Sequence, residues 1–183
     1  MALMILGVLL WIAAHSFKRA LPDQRASLGD PGKGLVAVVI VVGIVLMVIG
    51  YRQADFIYVW APPTFMVHIN NLLMLIAIFL FSPAAKRGRV LHGMRHPMLT
   101  GFKTWAIAHL LVNGDLASII LFGGLLAWAV AEVIVINRSE PDWAPEGAPG
   151  TIAKDAMFLV GSVILLAIIG YIHFWLGVWP FPS

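Results

Sequence analysis

An all-α, polytopic membrane bundle of about six transmembrane helices is the fold this sequence predicts, and three observations predict it. Of its 183 residues, 61% are hydrophobic and only 11% charged, well under the roughly 25% charged share of an average soluble domain. The apolar residues fall into six stretches, each set off by Pro, Gly or charged punctuation. Lys and Arg collect in alternate loops, as they do when cytoplasmic loops hold them in excess. One small core has no room for so much apolar surface, and spans joined by short loops use up the whole chain. Residues 1–183 therefore read as a single integral membrane domain.

The first stretch, Ala2–Phe17, has no basic residue before it, and Lys18, Arg19 and Leu21-Pro22 follow it. That pattern reads as a retained span and not as a cleaved secretory signal. Gly34–Tyr51 and Thr64–Phe81 are the second and third stretches. The fourth, Pro97–Val112, is short, carries Lys103 and His109, and ends at Asn113-Gly114, a strong turn pair. It forms a hairpin with the fifth, Asp115–Ile136, either as a full span or as a re-entrant segment. The Pro-rich Glu140–Gly150 segment reads as a rigid surface loop, and Asp155–Val178 is the sixth stretch. With six spans, one side receives Lys18, Arg19, Arg25, Lys33, Lys86, Arg87, Arg89, Arg95, Arg138 and Lys154, and the other only Arg52. The bias puts both termini on the non-cytoplasmic side. No internal repeat or low-complexity stretch is visible.

There is no cysteine, which removes disulfides, iron-sulfur clusters and thiolate-bound metals and leaves histidine, carboxylate and methionine as ligands. The formal charge of +3 is scattered over short loops instead of forming a basic face, which argues against nucleic acid as a partner. The partner such a composition implies is the lipid bilayer. Ionisable groups within hydrocarbon are costly, so they normally face a bundle interior and mark a site. Here they are His15, His68, Lys103, His109, Glu132 and His173, with Arg95 and His96 at a membrane border. Neutral imidazole is the usual protein ligand of heme iron, which makes heme the cofactor this residue set suits. The commoner use of an intramembrane histidine is a hydrogen bond to a neighbouring helix.

Depth sorts these residues further. His68, His109 and His173 share an outer level, whereas His15, His92 and His96 lie near the cytoplasmic border, where Lys18, Arg19 and Arg95 suit heme propionates or another anion. Lys103 can snorkel to the headgroups. Folding the hairpin about Asn113-Gly114 puts Glu132 level with His96, so a pair with His96 or Arg95 is expected. Trp105 stands one turn before His109, where it could stack on a flat cofactor, although an aromatic in a packing seam is commoner.

The most specific segment is Gly93-Met94-Arg95-His96-Pro97-Met98-Leu99-Thr100-Gly101, followed by Trp105, Ala108-His109 and the Asn113-Gly114 turn. Pro97 suits the first turn of a helix, whose free N–H groups, with Arg95 beside them, can receive an anion. Together with Ala14-His15-Ser16, this segment resembles the NnrU family over nearly the whole chain. That family is similar to plant and cyanobacterial 15-cis-zeta-carotene isomerase, a membrane protein that binds heme b and isomerises a polyene double bond.

The resemblance implies a bacterial inner-membrane location and a link to nitrate, nitrite and nitric oxide metabolism. It also implies heme b as cofactor and a heme-dependent isomerase or redox protein acting on an apolar polyene or a small gas ligand. Respiratory reductases are the implied partners, and a non-enzymatic accessory role in denitrification is the alternative. By similarity to the isomerase, His15 and His109 are the iron ligands. The isomerase also has a cysteine three residues before the second histidine, and Ala106 stands there in this chain. The span depths put His15 and His109 on the order of 13 Å apart along the membrane normal, at 1.5 Å per residue. Either the fourth stretch is tilted or re-entrant, or one of the two pairs with a histidine of its own level.

A second resemblance uses the same residues. Arg-His-Pro with a glycine four residues after the proline, followed by a hairpin, is similar to membrane isoprenylcysteine methyltransferases, which bind S-adenosylmethionine. Those enzymes carry paired glutamates after the hairpin, whereas here the stretch is Arg138-Ser139-Glu140-Pro141, with one.

Overall fold

The structure, a computed structural model, describes residues 1–182. Among these residues the chain is helical: α1 (Ala2–Ala20), α2 (Pro22–Ser27), α3 (Pro31–Arg52), α4 (Met66–Phe81), α5 (Ala84–Arg87), α6 (Pro97–Val112), α7 (Leu116–Ser139) and α8 (Ile152–Trp175). All six apolar stretches form helices, and the described residues contain no strand, only an isolated bridge between Tyr58 and Asp115. The first helix runs on through Lys18 and Arg19 before Leu21-Pro22 stops it, since basic side chains favour the last turn of a helix.

Four helices, α1, α3, α7 and α8, are long and apolar enough to cross a membrane. The other two stretches that the sequence marks as spans make shorter helices, α4 and α6, of 16 residues each. At 1.5 Å per residue such a helix is about 24 Å long, short of the roughly 30 Å hydrocarbon layer.

The chain forms two compact units. The first comprises Met1–Ala61 with Gly114–Trp128, and the second Pro62–Asn113 with the residues from Ala129 on. In the first unit α1 packs antiparallel on α3 along a seam of small residues. A Cβ on Gly7 would lie 2.6 Å from both the Gly43 carbonyl oxygen and the Met47 nitrogen, and one on Gly50 would strike the Met4 backbone. Such close backbone approach is how helices adhere where lipid removes the hydrophobic drive between them. At one end of this unit Asp115 caps α7, accepting from the Ser118 N–H at 2.9 Å and the Ser118 hydroxyl at 2.5 Å. The Tyr51 hydroxyl shares a further bond with that Ser118 oxygen at 2.8 Å. The extended 57–60 segment is tied there as well, with Val59 N–H donating to the Gly114 carbonyl and Leu116 N–H to that of Ile57.

In the second unit α4 packs against α6 and α8. Gly101, in the first turns of α6, sits against the last turns of α4, its missing Cβ 3.0 Å from the Ala77 carbonyl and 3.1 Å from Leu80. Leu80, Ala84 and Leu91 form a buried cluster on which Phe158 of α8 packs. The start of α8 is fastened to the 88–90 loop by Asp155, which accepts from the Arg89 and Val90 N–H groups at 2.8 and 3.2 Å. At its far end α8 closes with the Val178 N–H donating to the His173 carbonyl at 2.9 Å and Gly177 at φ 92°, a left-handed terminus that glycine adopts without strain.

Candidate functional site

In the first unit His15 lies in a nest of tryptophans. Its ring centroid is 3.7 Å from that of Trp11 and 5.3 Å from that of Trp128, and the two indoles meet edge to face at 4.6 Å. Trp128 Nε1–H donates to the Ser16 hydroxyl at 3.2 Å, and Ala14 is buried. Each residue of the Ala14-His15-Ser16 segment therefore has a packing role. His15 Nδ1 lies 2.9 Å from the Trp11 carbonyl oxygen. A carbonyl only accepts, so the proton sits on Nδ1 and the lone pair on Nε2.

In the second unit the same arrangement recurs on α6. His109 Nδ1 lies 3.0 Å from the Trp105 carbonyl oxygen, the Trp105 and His109 rings are 5.1 Å apart, and Phe102 stands 5.2 Å from Trp105. Asn113 Nδ2 donates to the His109 carbonyl at 2.8 Å.

Side by side, the two segments share a pattern that the sequence reading passed over: Gly7-x-x-x-Trp11-x-x-Ala14-His15 and Gly101-x-x-x-Trp105-x-x-Ala108-His109. Gly, Trp and His recur every fourth residue and so lie along one face of a helix. In both copies a Cβ on the glycine would come within 3.0 Å of a neighbouring helix, the alanine is buried, and the imidazole donates to the tryptophan carbonyl. The expectation of no internal repeat is thus corrected at short range. Four identities spread over nine residues are too sparse to stand out as a repeat of span length, and spacing measured from each histidine is the signal that finds them.

A third imidazole in the second unit has the same local geometry. His173 Nδ1 lies 2.8 Å from the Ile169 carbonyl oxygen. His68, which span depth sets at the level of His109 and His173, is exposed at the start of α4. Two residues on, Asn70 is buried and its Oδ1 has no hydrogen-bond partner.

The border residues serve as ties. Arg95 donates to the Glu140 carbonyl and lies over the Trp143 ring, 6.0 Å from its centroid. His96 Nε2 pairs with Asn137 Oδ1 at 2.8 Å. The partner of His96 on α7 is therefore Asn137 and not Glu132, five residues earlier in the chain. The physical reason is that Asn113–Asp115 is extended and α7 starts only at Leu116. Extended residues advance about 3.3 Å each against 1.5 Å in a helix, which shifts the register of the hairpin. Glu132 is half-buried on α7, and Lys103 is half-buried on α6. Lys18 and Arg19 are exposed in the last turn of α1, three and four residues after His15 and so on its side of the helix.

Among the described residues no group of three or more His, Cys, Asp or Glu side chains is arranged to hold a metal ion. Iron binds the neutral imidazole through a nitrogen lone pair while the other ring N–H is fixed by a carbonyl or carboxylate. His15, His109 and His173 all carry that second-nitrogen bond, so these residues fit a porphyrin iron. Comparison with known proteins adds one match: the family model described as NnrU protein covers residues 3–180. No curated protein and no solved structure matches the chain.

Proposed function

We propose a function from one premise, that the chain belongs to the NnrU family: it is a membrane protein that binds heme b, with His15 and His109 as iron ligands. The observation that carries this reading is the repeated Gly-Trp-Ala-His face, one copy in each compact unit, with both imidazoles in the tautomer that puts the lone pair on Nε2. A histidine that only ties two helices together has no need of a second copy with the same glycine, tryptophan and alanine. Lys18 and Arg19, on the His15 side of α1, are the cations suited to the propionates. Trp11, Trp128 and Trp105 supply flat, apolar walls beside the imidazoles.

When bound, the heme would supply redox-active iron for chemistry on an apolar or small gaseous substrate. The protein's own residues orient the imidazoles through the two tryptophan carbonyls and surround them with apolar side chains. Action on a polyene or a gas ligand, a place in nitrogen-oxide metabolism alongside respiratory reductases, and an inner-membrane location with both termini outside the cytoplasm all belong to this proposal.

The test is the absorbance spectrum of detergent-purified protein from heme-replete cells. A Soret band is expected, weakened at least several-fold or shifted in His15→Ala and in His109→Ala. A monodisperse but colourless wild-type protein would sink the proposal. Co-purification of that colourless protein with a respiratory reductase would favour the accessory role. Saturable binding of S-adenosylmethionine dependent on Arg95 and His96 would favour methyl transfer.

A further inference from the structure

The second unit gathers four exposed cations where the loop after α4 meets the start of α8. Lys86 and Arg87 end α5, Arg89 follows in the loop, and Lys154 stands in the first turn of α8. Among the described residues, no hydrogen bond or ion pair involves any of these four side chains. The exposed acids of the neighbouring loop, Asp142 and Glu146, therefore pair with none of them.

Like charges repel, and a free loop would let them spread apart. Backbone bonds hold them together instead. The Gly150 N–H donates to the Gly88 carbonyl at 2.9 Å, and the Arg89 and Val90 N–H groups donate to the Asp155 carboxylate at 2.8 and 3.2 Å. Two glycines permit this approach: a Cβ on Gly150 would strike the Arg87 carbonyl, and one on Gly88 would strike Asp155 Oδ1. The carboxylate that fastens the loop is itself buried, so the cations are what the surface presents. Arg87, Arg89 and Lys154 are thus carried on backbone that is fixed by its own bonds.

Apolar side chains border the same cations. Val90, next to Arg89, is 64% exposed, and Ile152, two residues before Lys154, is 58% exposed; Phe81 and Met157 are exposed as well. A water-soluble anion has no use for such a border, whereas an amphiphile uses both parts. Clustered Lys and Arg at the end of an apolar helix attract the phosphate of an anionic lipid, and exposed apolar side chains beside them suit its acyl chains.

We propose that this face of the second unit binds the headgroup of an anionic phospholipid, with Arg87, Arg89 and Lys154 on the phosphate and Lys86 beside them. The site lies within one unit and does not depend on the heme reading.

The experiment is native mass spectrometry of the purified protein in detergent, titrated with phosphatidylglycerol or with phosphatidylcholine of the same acyl chains. Wild type is expected to prefer phosphatidylglycerol by at least about ten-fold, at about five-fold for each cation engaged. Arg87→Gln with Arg89→Gln and Lys154→Gln should abolish the preference while helical circular dichroism is unchanged. Arg25→Gln with Lys33→Gln and Arg52→Gln, which removes as many charges from the first unit, should keep it. Asp155→Ala removes a negative charge, so charge alone predicts tighter binding, but freeing the loop should weaken the preference. The proposal is overturned if wild type shows no preference, if both triple variants lose it equally, or if Asp155→Ala binds more tightly. Displacement of the lipid by millimolar inorganic phosphate also overturns it, since that outcome marks a site for the free ion.

Discussion

Asp155 shows how much a single side chain can hold in a chain with few charges. Its carboxylate is 5% exposed and receives the N–H groups of Arg89 and Val90, while Gly88 leaves room for it, since a Cβ there would strike Oδ1. Asp155→Ala should orphan two buried donors at about 1–3 kcal/mol each, whereas Asp155→Asn keeps an acceptor and should lose less. Thermal unfolding in detergent checks this, together with the rate of proteolytic cleavage in the 88–93 loop; equal stability of the Ala and Asn variants would refute the latch. At the same scale, Tyr51→Phe removes one bond from a serine that stays bonded to Asp115, so a loss of only about 1 kcal/mol is expected. Neither contact was legible in the sequence. Asp155 reads there as an acid at the start of a span, and nothing local says that a loop 66 residues earlier will present its N–H groups.

At the scale of the element, helix contacts are decided by where a side chain is absent. Gly7 stands so close to α3 that any Cβ would overlap backbone, whereas Gly161, on α8, has nothing within 4 Å. Gly7→Leu should therefore cost about 1–3 kcal/mol through overpacking and separate α1 from α3. Gly161→Ala should be neutral or stabilise by up to about 1 kcal/mol, because glycine is a poor helix former. Denaturation in a constant detergent, monitored by helical circular dichroism, distinguishes the two; a Gly7→Leu variant as stable as wild type would contradict the seam. Six helices were readable from apolar runs and Pro or Gly stops. The bounds of α6, Pro97–Val112, were readable as well, and α4 differs only at its start, whereas α8 begins three residues before the Asp155 that the apolar run marks. The repeated Gly-Trp-Ala-His face was present in the sequence but becomes recognisable only once both histidines are seen to bond the carbonyl four residues back.

At the scale of the whole molecule, the expected orientation rests on ten Lys and Arg residues in alternate loops against Arg52 alone on the other side. The absence of cysteine makes this directly measurable with single introduced thiols and a membrane-impermeant maleimide. Gln53→Cys and Val178→Cys should label in intact cells, and Ser27→Cys and Ser139→Cys only after permeabilisation. Labelling of Ser139→Cys in intact cells would instead mean that the 97–112 segment re-enters without crossing. Composition by itself determined that this chain is helical and fit for a membrane, because transfer of apolar side chains out of water is a sum over residues and needs no knowledge of neighbours. Tertiary structure alone decided that His96 meets Asn137 and that Asp155 fastens the 88–90 loop. Each of these depends on the register between helices distant in sequence, which is fixed by where glycines let backbones touch and by how many residues of each turn are spent in extended chain.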